Sequence, residues 1–154
     1  QCVWPDLCNF SLSSHLANGK TKFGFIFNTD PHTEPGEHWV SMFMHIGNEA
    51  GERSEHTTPS FVHYFDSTGD PPPTEITELV ELIGKQAMEL DIQAPQFSRN
   101  EIVHQKQNTE CGIYALYFIA SMTSRHDHLE KFNSGRISDS EMSEYRKKFW
   151  NTNE

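Results

Sequence analysis

Gln105-Lys106-Gln107-Asn108-Thr109-Glu110-Cys111-Gly112, running straight into Ile113-Tyr114-Ala115-Leu116-Tyr117-Phe118-Ile119-Ala120, decides how the rest of this chain is read. A polar loop gives way to a segment that is apolar on nearly every face. A helix of that kind, expected from Cys111 to about Ser124, lies inside a domain rather than on its surface. Its first residue is a cysteine. Amide donors and the helix dipole at that end favour an anion, which predisposes a thiol to ionise. The plainer account of a lone cysteine before an apolar helix is a small buried hydrophobe.

Upstream, Lys22 to Asn28 alternates Phe23, Phe25 and Phe27 on one side, the period of a half-buried strand. His38 to Ile46 and Phe61 to Asp66 are two more expected strands. The polar stretch Gly47 to Ser60 between them reads as a long hairpin loop centred near Gly51-Glu52. Ser11 to Ala17 is a candidate short helix, and Thr29 to Gly36 a loop. After the turn Ser67 to Pro73, the residues Ile76, Leu79, Val80, Ile83, Ala87 and Leu90 fall at helical spacing. Gln96 to His104 is expected to contain a short strand, near Glu101 to Val103. The last helix begins at a capping box, Ser138-Asp139-Ser140-Glu141, with Ile137 and Met142 as its hydrophobic staple. Tyr145, Phe149 and Trp150 would continue its buried stripe. A few strands, a helix, a strand, a central helix and a terminal helix make an α+β domain with helices packed on a mixed, mostly antiparallel sheet.

An antiparallel pair would bring the start of the second strand opposite the end of the third, so that His38 and Asp66 share a face. The carboxylate would then accept from the imidazole Nδ1–H and hold the ring's orientation. Cys111 supplies sulfur, and Gln105, six residues earlier, supplies a side-chain amide that could join the Cys111 N–H in binding an oxyanion. Gly112 leaves room for a substrate backbone. Trp39 either walls a narrow channel or anchors the core. Taken singly each residue is ordinary, and Asp66 before Ser-Thr-Gly could simply start a turn. Together, in this order, they describe a thiol nucleophile with its base, orienter and oxyanion donor.

With 154 residues, 11 Phe, 4 Tyr and 3 Trp, the chain is expected to form a single domain, residues 1–154, with a sizeable core. A formal charge of -10 disfavours nucleic acid as the main partner and suits a basic or neutral protein. No apolar run is long enough to span a membrane, and Gln1-Cys2-Val3-Trp4 is no signal peptide. Without a starting Met, the chain reads as a trimmed or incomplete product. Three cysteines, Cys2, Cys8 and Cys111, with no CxxC suggest a reducing compartment, the cytoplasm or nucleus or the inside of a virion. Cys2 and Cys8 could still pair. His126-Asp127-His128 could hold one ion. It lacks a companion Cys pair or an HExxH helix, so no metal and no cofactor is expected.

Gly36-Glu37-His38-Trp39-Val40, Tyr64-Phe65-Asp66-Ser67 and Gln105-x5-Cys111-Gly112 resemble the cysteine-protease superfamily of adenain and the ubiquitin-like-protein-specific proteases. The resemblance runs from about Phe23 to Ser124. Asn108-Thr109-Glu110-Cys111-Gly112 and the tail from Ile137 through Arg146 to Trp150 resemble versions found in large DNA viruses. The resemblance implies a papain-like fold with rearranged chain order, the nucleophile on a buried central helix. It also implies a thiol endopeptidase or isopeptidase acting through a thioacyl-enzyme after Gly-Gly, in a viral structural precursor or a ubiquitin-like (SUMO-type) modifier. His38 would be general base and acid, Asp66 its orienter (with Asp70 as substitute), Cys111 nucleophile and Gln105 oxyanion donor. Trp39 and Gly112 would line the Gly-Gly channel. The Gly47–Ser60 insertion lengthens the His38–Asp66 interval, and the chain lacks the N-terminal extension many members use to grip the modifier. An acyltransferase on the same scaffold, or a particle-associated module without catalysis, would use the same fold.

Overall fold

The structure, a computed structural model, describes residue 7 and residues 9–30, 38–47, 58–124 and 129–150, the last without the Trp150 side chain. In chain order the elements are α1 (Leu12–Ala17), β1 (Lys22–Asn28), β2 (Trp39–His45), β3 (Phe61–Phe65), α2 (Thr74–Glu89), β4 (Gln96–Arg99), α3 (Cys111–Ser124), α4 (Leu129–Ser134) and α5 (Asp139–Trp150). The four strands form one sheet in the order β1-β2-β3-β4.

Register follows from the ladder. Ile46 N–H donates to Thr21 C=O and Thr29 N–H to His38 C=O, so β1 and β2 are antiparallel. Gly47 lies against Ser60, and His38 against Asp66, so β2 and β3 are also antiparallel. Gln96 N–H donates to Ser60 C=O and Asn100 N–H to Tyr64 C=O, which makes β4 parallel to β3. A parallel neighbour needs a crossover, and α2 provides it. The sheet is therefore mixed, as expected. The tip of the β2–β3 hairpin, Gly51-Glu52, lies outside the described residues, as do Cys2, Cys8, Gly36-Glu37 and His126-Asp127-His128.

The fourth strand falls within Gln96 to His104, as expected, but at the start of that span and not near Glu101 to Val103. It occupies Gln96–Arg99, and Glu101–Val103 is loop. The cause is Asn100. Its side chain takes the Asp66 N–H and donates to the carbonyls of Asp66 and Ile102, so the backbone leaves the ladder there.

Contacts group the chain into two compact units whose boundary falls within every strand. In the first (residues 1–23, 44–62 and 72–98), Ser11 caps α1. Leu12 N–H donates to Gln86 Oε1 at 2.7 Å and Gln86 Nε2 to Phe10 C=O at 2.8 Å, tying α1 to α2. Ile76, Leu79, Ile83 and Ala87 form the buried stripe of α2, while Leu90 sits past the helix end and is exposed.

The second unit (residues 24–43, 63–71 and 99–154) carries the central helix. Ile113, Tyr114, Ala115, Tyr117, Phe118 and Met122 of α3 are buried. Phe118 of α3 stacks on Phe65, and Phe132 meets both rings edge-on, with centroids 4.9 to 5.2 Å apart. The capping box forms: Ser138 N–H donates to Glu141 Oε2 at 2.8 Å, and Glu141 N–H to Ser138 Oγ at 3.3 Å. Ile137 and Met142 are both buried. Phe149, however, is exposed, so among the described side chains the stripe of α5 ends at Tyr145, whose ring lies 4.3 Å from that of Tyr117. No helix among the described residues is long and apolar enough to cross a membrane.

Candidate active site

Every described member of the candidate site belongs to the second unit. His38 immediately precedes β2, and Asp66 immediately follows β3. Antiparallel pairing sets the start of one strand beside the end of the other, and His38 Nε2 meets Asp66 Oδ1 at 2.8 Å. The nitrogen differs from the one expected: Nε2, not Nδ1, faces the carboxylate. The imidazole reaches Asp66 with its far edge, which leaves Nδ1 for the sulfur.

Asp66 is buried and held from all sides. Oδ1 also accepts from the Thr68 N–H and hydroxyl, both at 2.8 Å, and Oδ2 accepts from the Tyr64 hydroxyl at 3.4 Å. Gly69 N–H closes the turn on the Asp66 carbonyl at 3.0 Å. Gly69 has φ +76, and a Cβ there would press within 3.1 Å of the Glu101 carbonyl, so both conformation and space call for glycine. Asp66 thus both starts a turn and faces the imidazole; the two sequence readings are compatible. Asp70, the alternative orienter, has its Oδ2 2.7 Å from Thr68 Oγ1, where it shares that hydroxyl's single proton with Asp66 Oδ1, and it makes no hydrogen bond to His38 among the described residues. Asn100, fully buried, brackets the Asp66 backbone with bonds of 2.9 and 2.6 Å. Sequence reading missed Thr68 and Asn100. Thr68 could have been found as the residue two after an Asx-turn aspartate, whereas nothing local marks Asn100.

Cys111 is the first residue of α3, half-buried and free. The charges reinforce one another. The hydrogen bond to Asp66, then that to Cys111, raises the His38 pKa to about 10 despite partial burial. The hydrogen bond from His38 lowers that of Cys111, opposed by burial and aided by the backbone N–H groups of Trp39 and Gly112. Burial alone would push Asp66 up, but His38 and Thr68 outweigh it and hold the carboxyl below its usual range. The shifts run in one direction: they favour a charged imidazole, an ionised thiol and an ionised carboxylate in mutual contact.

Trp39 is 40% exposed, so it anchors no core. Its ring stands beside Gly112: a Cβ on Gly112 would lie 3.7 Å from Trp39 Cδ1. Gln105 is buried in the approach to α3. Ser67 Oγ donates to its Oε1 at 2.8 Å, and its Nε2 donates to the Gln107 carbonyl, which leaves the second amide hydrogen without a partner among the described residues. Ser67 C=O also accepts the His104 and Gln105 N–H groups at 2.9 Å. The residue before Gln105, His104, is buried and lowered in pKa by that burial. It accepts from Ile137 N–H at Nδ1 and donates from Nε2 to Phe132 C=O. The structure therefore brings His38, Asp66, Cys111, Trp39 and Gly112 together and fixes Gln105 one loop away from the sulfur.

Residues 24–154 match the family described as Ulp1 protease family, C-terminal catalytic domain. The African swine fever virus protein named cysteine protease S273R is 30% identical over 124 residues, covering 80% of this chain and 42% of that protein. A second isolate's version, similar over the same span, is named SUMO-1 cysteine protease S273R. The crystal structure of the pS273R protease superposes with a TM-score of 0.61 at 30% identity, covering 82% of this chain and 43% of the other. A de-sumoylating protease at 18% identity shares the fold, with a TM-score of 0.51 over 94% of this chain and 53% of its own. The chain spans about two fifths of the length of these curated viral relatives. With a family match over residues 24–154 and a viral relative 30% identical across four fifths of this chain, the chain belongs to the Ulp1 protease family, in its C-terminal catalytic domain.

Proposed function

We propose that this chain is a single cysteine protease catalytic domain that cleaves protein substrates after Gly-Gly, in a ubiquitin-like (SUMO-type) modifier or a viral structural precursor. One observation carries the proposal: His38 bonds Asp66 at 2.8 Å while it hydrogen-bonds Cys111 on its other side. That arrangement supports a preformed nucleophile that needs no separate deprotonation step.

Cys111 Sγ attacks the scissile carbonyl carbon, and a C–S bond forms as the carbonyl π pair moves to oxygen. The second Gln105 amide hydrogen and the Cys111 N–H receive that oxyanion, each donor contributing on the order of 2.7–4 kcal/mol. His38 gives its Nδ1 proton to the departing amine nitrogen as the C–N bond breaks, leaving a thioester. Water then attacks the thioester, its proton passes to Nδ1, and the C–S bond breaks to restore the pair. Throughout, Asp66 keeps the Nε2–H and the ring plane fixed.

The exposed Trp39 ring beside Gly112 supports a slot that admits residues without side chains and excludes bulkier ones. A formal charge of -10 supports a neutral or basic protein partner in place of nucleic acid. A functional thiolate requires a reducing setting, so the site of action is the cytoplasm or nucleus, or the inside of a virion.

The test is a panel of SUMO, ubiquitin and viral-type Gly-Gly precursors, offered as peptides and as vinyl-sulfone probes, with adduct mass read at Cys111. Cleavage and labelling by the wild type, both lost in Cys111→Ala, are expected. Cleavage that survives Cys111→Ala eliminates the nucleophile. Transfer of an acyl group from acyl-CoA without peptide cleavage would make this an acyltransferase. No labelling by any probe would make it a module without catalysis.

A further inference from the structure

The loop from Lys106 to Glu110 separates the oxyanion candidate from the nucleophile, and a single helix grips both of its ends. At one end, Lys106 N–H donates to both carboxylate oxygens of Asp139, at 3.3 and 3.1 Å. Asp139 also accepts from the Tyr114 hydroxyl at 3.2 Å and from Arg136 at 3.0 Å, and it is buried. At the other end, the Arg146 guanidinium donates to the Thr109 carbonyl at 2.9 Å and to Glu110 Oε2 at 3.0 and 3.2 Å. Glu110 is buried next to the thiol, and its carbonyl accepts Tyr114 N–H in the first turn of α3.

Asp139 and Arg146 are seven residues apart in α5. Seven residues make nearly two turns, so both side chains leave one face, separated along the axis by about 10.5 Å. That spacing matches a five-residue loop held bent, not extended. Neither side chain touches the reacting atoms.

We propose that α5 is a clamp that sets the separation between the Gln105 amide and the Cys111 thiolate, with Asp139 and Arg146 as positioning residues. Its kinetic consequences rest on the protease reading above. The imidazole–thiolate pair itself is built by β2, β3 and the helix start, so the clamp governs the oxyanion side of the site and leaves the thiolate intact.

Arg146→Ala is therefore expected to lower kcat on a Gly-Gly peptide about 10–100-fold with KM nearly unchanged, since displacements on the order of 1 Å cost rates of that size. The pH profile of Cys111 alkylation by iodoacetamide, which needs no oxyanion donor, should not move. Arg146→Lys should recover part of kcat, because it keeps the charge on Glu110 but cannot also reach the Thr109 carbonyl. Glu110→Gln is the second variant should Arg146→Ala fold poorly, with the same expected split. Amide hydrogen exchange at residues 106–111 should quicken in either variant while that of residues 142–149 stays slow. Wild-type kcat together with wild-type exchange in both variants overturns the clamp. So does a parallel loss of alkylation and cleavage, which is general destabilisation. If the wild type cleaves nothing, the protease reading has failed, and the exchange result alone decides whether the clamp exists.

Discussion

Asp66→Asn should move the alkaline end of the activity profile and leave its centre much less affected. Asparagine fits the same space. Its oxygen can still accept from His38 Nε2 and from the Thr68 N–H and hydroxyl, and its NH2 replaces Oδ2 near the Tyr64 hydroxyl, which can turn to accept. What disappears is the negative charge, and the bond to Asp66 is the foremost reason the His38 pKa stands at about 10. Loss of an opposite charge in contact lowers such a group by roughly 1–3 units, so a fall of about 2 units is a working value. The active imidazolium is the protonated form; its pKa is raised, so activity persists below that value and fades as pH rises through it. At about pH 9 the wild type would be roughly nine-tenths protonated and the variant roughly one-tenth, a difference of about tenfold that shrinks toward none near pH 6.5. Looser ring orientation adds a further loss that does not depend on pH. The assay is kcat/KM on a fluorogenic Gly-Gly peptide from pH 5 to 11, with Asp70→Asn as control, since Asp70 bonds Thr68 and not the histidine. An alkaline limb in Asp66→Asn that coincides with the wild type would refute the assignment of Asp66 as the charge that holds the imidazolium.

Gln105→Ala should reduce kcat by about 10²–10³ with little change in KM; burst-phase kinetics would expose an effect on binding alone. Asn100→Ala strips a buried donor–acceptor set from the Asp66 and Ile102 backbone and should cost about 2–4 kcal/mol in urea unfolding, with wild-type stability as the contrary result. Folding stability carries its own pH signature. His38 is raised from 6.5 to about 10, so its contribution is complete below 6.5 and drains away as pH climbs to about 10. Cys111 is lowered from 9.0, so its contribution is present above 9.0 and lost as pH falls through its depressed value. With Cys111 replaced by Ala to remove the opposing thiol contribution, the unfolding free energy of the protein carrying His38 minus that of His38→Asn should decline as pH rises above 6.5, and a flat difference would contradict a raised imidazole.

Chain chemistry by itself carried a good deal of this molecule. Phe23, Phe25 and Phe27 alternate, and β1 spans Lys22–Asn28 as their period requires. The run after Cys111 is too apolar for a surface, and α3 is largely buried. Ser138 and Glu141 cap α5 by local hydrogen bonding, which needs no distant partner. The residue types of the site were legible too, because a thiol mechanism restricts which side chains can serve. Other features depended on folding. Whether Gln96–Arg99 or Glu101–Val103 pairs with β3 turned on the Asn100 side chain reaching residues 34 positions away. Which imidazole nitrogen meets Asp66 depended on the angle at which two strand ends approach, and an alternation pattern carries no angles. Phe149 lies outside the buried stripe because, among the described side chains, that stripe ends where Tyr145 meets Tyr117 of α3. The clamp of α5 on the nucleophile loop joins Asp139 to Lys106 and Arg146 to Glu110, pairs more than thirty positions apart. Local propensity and periodicity are written in neighbouring residues; hydrogen bonds between distant ones exist only once the chain has closed on itself.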